Sequence, residues 1–211
     1  MLNLSSQHFF SQPAGSCFTF KKEDEKAYVK LHPLQYEELN DFTIDFTYEF
    51  SDATSEPYFL SYFYSKYYNG PNELQIGQKG GKIRNSQFYD ATSTPMPLEI
   101  GTTKRVTITR MNSKISVYVN GKFVKIPKIP KIANPIRPGG SWILGQEQDQ
   151  EGGGFQKHQR FTGKICDFQM WDYGMNQKSL KKLFLHDGSV APGNIFDSPP
   201  TYVFKKKNGA M

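Results

Sequence analysis

Little in this sequence points to catalysis or to a membrane. Its 211 residues include only two cysteines, two tryptophans and four histidines. His8, His32, His158 and His186 are scattered, and none stands in a zinc-ligand spacing or a nucleophile pattern. No apolar run approaches the length of a membrane span. The first residues, MLNLSSQHFFSQPAGS, lack the basic start and apolar stretch of a secretory leader, so 1–14 reads as an N-terminal extension. No long-period repeat and no second domain are visible. The formal charge of +6 is a mild basic excess that favours acidic partners weakly. Without a recognised nucleic-acid motif it does not signal nucleic-acid binding.

What is present is aromatic and strand-like. The length suits one all-β domain with a sizeable core, spanning 15–204, followed by a basic tail at 205–211. Strands are expected at 17–20, 27–31, 42–50, 58–64, 104–110, 114–119, 142–144 and 163–171. Residues 42–50 alternate cleanly, with Phe42, Ile44, Phe46, Tyr48 and Phe50 on one face, the pattern of a half-buried antiparallel strand. The aromatics of 58–64 read as core rather than as a sugar-stacking platform. Asn120-Gly121 marks a hairpin into Lys122-Phe123-Val124. Residues 176–187 form the one clear helix, capped by Asn176, with Leu180, Leu183 and Phe184 on its apolar face. Lys125, Lys128 and Lys131 recur every third residue in a Pro-rich stretch. They read as a solvated connection at a sheet edge, or else as a basic arm.

One stretch concentrates oxygen chemistry. After Trp142-Ile143-Leu144 the chain turns acidic and amide-rich through Glu147-Gln148-Asp149-Gln150-Glu151, then passes three glycines, Gly152 to Gly154. In an extended chain Glu147, Asp149 and Glu151 share a side, while Gln148 points away and offers its backbone carbonyl. Calcium takes six to eight oxygen ligands of these kinds. The glycines let the loop fold back and bring in a later residue such as Gln159. Two readings of the loop stand on spacing alone, a solvated acidic connection and a calcium site.

The run Leu144-Gly145-Gln146-Glu147-Gln148-Asp149, then Gly152-Gly153, Phe155, Gln159 and Gly163 through Met170-Trp171-Asp172, resembles the pentraxin family in register. Asn72-Glu73-Leu74 adds a second match. The resemblance implies an all-β, two-sheet antiparallel jelly roll of the laminin-G and concanavalin-like kind. It implies Ca²⁺, one or two ions, held by Asn72, Glu147, the Gln148 carbonyl, Asp149 and Gln159, and an anionic or carbohydrate ligand bridging to the metal. It also implies an extracellular location and self-association into an oligomer. In the family arrangement the first strand lies near a late strand, which allows a Cys17–Cys166 disulfide. Two buried thiols are the alternative.

Several positions depart from the family pattern. Pro71 stands where an acidic ligand is expected, which puts the first ion in doubt, and Glu73 is the residue at hand to compensate. The family's His-x-Cys-x-Ser/Thr-Trp signature is reduced here to Thr109, with Arg105 and Thr107 in the other places. The cysteine partner falls at Asp45. A hydrophobic wall beside the ligand is not recognisable in Gln75-Ile76-Gly77. A glycosidase pair is disfavoured because the spacing is Glu147-x-Asp149-x-Glu151 rather than E-x-D-x-x-E. The sequence therefore predicts non-catalytic, calcium-dependent, lectin-like binding. The alternative is a scaffold subunit that uses the sandwich for protein–protein contacts, which the missing leader and Pro71 favour.

Overall fold

Two antiparallel sheets pack face to face in a computed structural model that describes residues 16–23, 27–52, 56–65, 72–79, 82–87, 90–95, 99–124, 135–185, 188–196 and 202–203. Within these ranges, residues 72, 79, 82–87, 90–95, 202 and 203 are described by their backbone alone. In chain order the strands begin with β1 (Cys17–Phe20), β2 (Val29–Leu31), β3 (Phe42–Phe50), β4 (Tyr58–Phe63), β5 (Asn72–Lys79), β6 (Lys82–Gln87) and β7 (Asp90–Pro95). They continue with β8 (Lys104–Met111), β9 (Lys114–Val119), β10 (Lys122–Val124), β11 (Ser141–Leu144), β12 (Gly163–Trp171) and β13 (Tyr202–Val203). One helix, α1 (Gln177–Leu185), follows β12. The six-stranded sheet has the order β1-β12-β3-β8-β9-β10, and the seven-stranded sheet β13-β2-β11-β4-β5-β6-β7.

The alternation in β3 decides the core. Phe42, Ile44, Phe46, Tyr48 and Phe50 are all buried and belong to one cluster with Leu60, Tyr62, Leu74, Ile76, Trp142 and Leu144 of the facing sheet. Aromatic rings join the layers, Tyr48 to Phe59 at 4.6 Å and Phe50 to Phe161 at 5.0 Å between centroids. The aromatics of β4 are core, as their composition indicates.

The other face of β3 is more buried than alternation alone suggests. Asp45 accepts from Arg105 Nε at 3.0 and 3.1 Å, from Arg105 Nη2 at 2.8 Å and from its register partner Thr107 at 2.5 Å. The two positions where the family pattern calls for a cysteine pair thus carry a charge-assisted cluster instead. Thr43 and Thr109 share the same face, and their hydroxyls accept from the backbone N–H of Met175 at 2.9 and 3.0 Å. That ties down the approach to α1. Asn176 caps the helix by accepting from Ser179 N at 3.0 Å. Leu180 and Leu183 then bury against Trp171 and Met175 in a small second core. The helix covers 177–185 of the expected 176–187, with Asn176 as its cap, and residues 186 and 187 lie outside the described residues.

Cys17 and Cys166 are register partners across β1 and β12, and their sulfurs are bonded at 2.00 Å. The strands β5 to β7 are additions to the sequence reading. Residues 1–15, the lysine repeat at 125–132, Pro71 and the tail from 204 lie outside the described residues.

Candidate calcium-binding loop

The site is a loop whose two ends meet. Gly145 leaves β11 with φ 85°, and a Cβ there would stand 2.3 Å from the Phe20 ring, so only glycine fits. Its N–H donates to Phe59 O at 3.0 Å, and its carbonyl accepts from Phe161 N at 2.9 Å. The segment 146–160 is closed by that last bond.

Gln148 anchors the loop to the outer face of the seven-stranded sheet. The residue is fully buried. Its Nε2 donates to Ser61 O at 3.1 Å, Ser61 Oγ at 3.0 Å and Ser141 O at 3.0 Å. Its Oε1 accepts from Gly152 N at 2.7 Å. Ser61 Oγ in turn donates to Gln146 O at 2.9 Å. The Gln148 side chain does point away from its acidic neighbours, into the sheet, which leaves its backbone for other work.

The three carboxylates do not line one side of an extended strand. A tight turn at Glu151-Gly152, bridged between Gln150 and Gly153, breaks the extended path. Glu147 is 3% exposed and its Oε1 accepts from Gln75 Nε2 of β5 at 2.6 Å. Asp149 is exposed and accepts from Gln156 Nε2 at 2.6 Å. Glu151 accepts from Ser141 Oγ at 3.2 Å. Consistent with these separate partners, no group of three or more His, Cys, Asp or Glu side chains is gathered among the described residues. Any cation site here must draw on amide and carbonyl oxygens as well.

Such oxygens are present. Gly154, with φ 73°, packs so close to Asp149 that a Cβ would stand 2.7 Å from the Asp149 Cβ. The loop then passes through a single 3₁₀ turn, Lys157–Gln159. Gln159 Oε1 is buried and has no hydrogen-bond partner among the described residues. A buried amide oxygen left unsatisfied is costly, and a hard cation with oxygen ligands would relieve it. Asn72 begins β5, opposite Phe63 of β4. His158 is exposed on the 3₁₀ turn, where its carbonyl accepts from Glu56 N at 3.2 Å.

Glu73 does not stand in for the acid missing at Pro71. Its carboxylate is 1% exposed and both oxygens are taken by Arg137, through the backbone N–H at 2.9 Å and Nε at 2.6 Å. Gln75 and Gln156, which hold Glu147 and Asp149, were not among the residues the sequence singled out. Their signal is weak, since each is an ordinary polar residue until the fold sets it beside an acid.

The Pentaxin family model matches residues 16–205. Serum amyloid P-component of Mus musculus is 31% identical over 189 residues, covering 85% of this chain and 79% of that protein. C-reactive protein of Danio rerio is 25% identical over 201 residues, covering 93% of this chain and 88% of that protein. The pentraxin fusion protein of Xenopus laevis is 30% identical over 85% of this chain, which spans only 43% of that longer protein. Among solved structures, the native heptameric SAP-like pentraxin from Limulus polyphemus superposes with a TM-score of 0.69 at 20% identity, over 84% of this chain and 85% of that one. With a family match across nearly all of the described fold and relatives above 30% identity over most of their length, this chain belongs to the pentaxin family.

Proposed function

We propose that the chain binds an anionic or carbohydrate ligand through calcium held on the 146–160 loop, and that it catalyses no reaction. Asn72, Glu147, the Gln148 carbonyl, Asp149 and Gln159 would hold the metal. Bound there, the ion supplies positive charge and open coordination positions for a ligand's oxygens. The observation that carries this reading is the buried, partnerless Gln159 Oε1 on the loop that also bears Glu147 and Asp149. The chain's own part is to hold the loop through Gln148 and to present two of its acids, Glu147 buried and Asp149 exposed. Neutral amides donate to both acids, Gln75 to Glu147 and Gln156 to Asp149. The Cys17–Cys166 bond is the kind that persists in oxidising compartments, which supports an extracellular protein. The likeness to a heptameric pentraxin supports self-association.

The test is calorimetric titration of chelator-stripped protein with Ca²⁺, repeated on Glu147→Gln and Asp149→Asn. Saturable heat is expected in the parent and not in either variant. No heat up to about millimolar calcium, the weak end for extracellular modules, overturns the reading. A scaffold role among protein subunits is the second reading. It is favoured by the short amide bonds from Gln75 and Gln156, which hold both acids within the protein itself.

A further inference from the structure

Two residues before Gln75, which donates to Glu147 of the loop, lies an ion pair with a buried carboxylate. Glu73 is the extra residue of a bulge, because Tyr62 of β4 pairs with Leu74 while Phe63 pairs with Asn72. A bulge bends its strand and re-aims the neighbouring residues. The Glu73 carboxylate receives the Arg137 backbone N–H, Nε and Nη2. Arg137 precedes β11 by four positions, so it stands on the chain that runs directly into the 146–160 loop. Its guanidinium lies 4.5 Å from the Tyr64 ring centroid, just past the end of β4. Its carbonyl accepts from the hydroxyls of Tyr62 and Tyr36. One residue therefore joins the end of β4, the start of β5 and the approach to β11.

We infer that Glu73 and Arg137 form a positioning pair that fixes the start of β5, and with it Asn72, relative to the Glu147 loop. The inference rests on the calcium reading above. A buried carboxylate needs its cation and tolerates little movement from it. The planar guanidinium fork adds direction to the charge. Asn72 is covalently next to the clamped residue. Pro71 has no side-chain oxygen, so of the two ligand positions that the family pattern sets here only Asn72 can supply one.

Terbium(III), used as a luminescent probe for the calcium site, tests this, because emission lifetimes in H₂O and D₂O count the waters on the bound ion. Asn72→Ala is expected to gain about one coordinated water and to weaken binding about 10-fold, the scale of lost ligand support. The paired variant Glu73→Gln with Arg137→Met, which leaves no lone buried charge, is expected to gain the same water and a similar loss. Adding Asn72→Ala to it should add nothing further. Arg137→Lys keeps the charge and backbone N–H but not the fork, and should weaken terbium binding about 3-fold or more. Parental hydration and affinity in a folded paired variant or in Arg137→Lys overturn the inference, as does strict additivity with Asn72→Ala. Absence of terbium and calcium binding in the parent protein overturns the calcium reading instead.

Discussion

Gln148→Ala isolates the part of the loop's order that comes from one side chain. The parent amide makes the equivalent of three buried hydrogen bonds, two from its N–H groups, shared among Ser61 O, Ser61 Oγ and Ser141 O, and one to its oxygen from Gly152 N. At about 1 kcal/mol net for each, their loss costs about 3 kcal/mol, and more if the strand carbonyls stay dry and unpaired. That figure raises the population of the undocked loop roughly 150-fold. A protease that cuts only the undocked loop reads this directly, because cleavage follows the open population when reclosing is fast. The expectation is a cleavage rate in chelator up by that order, with cuts confined to residues 149–158. Calcium affinity should fall in proportion to the docked fraction lost. Gln148→Glu keeps an acceptor for Gly152 N but sets a carboxylate against two carbonyls, and should be no better than alanine. A rise in cleavage under about 5-fold for Gln148→Ala would show that these hydrogen bonds are not what holds the loop, and refute the reasoning.

Two further outcomes follow from groups away from the loop. Unfolded, unreduced protein should show no free thiol; reduction should destabilise it by up to about 5 kcal/mol on chain entropy, given the 149-residue separation of Cys17 and Cys166. Two titratable thiols per chain would contradict the bond. Burial pushes the Tyr62 hydroxyl well above its usual value, with Tyr36 and Glu73 adding to the effect, and burial raises Tyr36 too. Both stay neutral in the folded protein, so the stability they confer is complete below about pH 10 and declines as pH rises past it. Stability curves of Tyr62→Phe should be flatter there by about 1.4 kcal/mol per pH unit, and an equal slope counts against the assignment.

The sandwich was readable where one face carries its pattern. Residues 42–50 alternate because their inward parity meets a solid aromatic layer, and the strand came out with its expected limits. Gly163–Trp171 was equally plain. The stretch 72–95 was not, because β6 and β7 are made largely of Lys, Arg, Asn, Ser, Gln and Thr. They lie at one end of their sheet, where backbone pairing of β6 with β5 and of β7 with β6, and not an apolar period, makes the strands. Within the loop, residue types announced the oxygen chemistry, but their partners could not be read. Gln75 lies 72 residues from Glu147, and nothing local ties the two. The i, i+2 expectation did not carry to Glu151, because Gly152 turns the chain there. Glu73 matched the family pattern by position and proved to face Arg137, a pairing only the β5 bulge makes intelligible.

The bond from Phe161 N to the Gly145 carbonyl closes the neck of the 146–160 segment, while Gln148 and the bond from Glu56 N to His158 O tie its two arms to the sandwich. Residues added between those ties leave the register of β11 and β12 untouched, and lengthening such a loop costs only about 0.6 kcal/mol per doubling. The middle of the loop can therefore change length without shifting the sandwich that carries it.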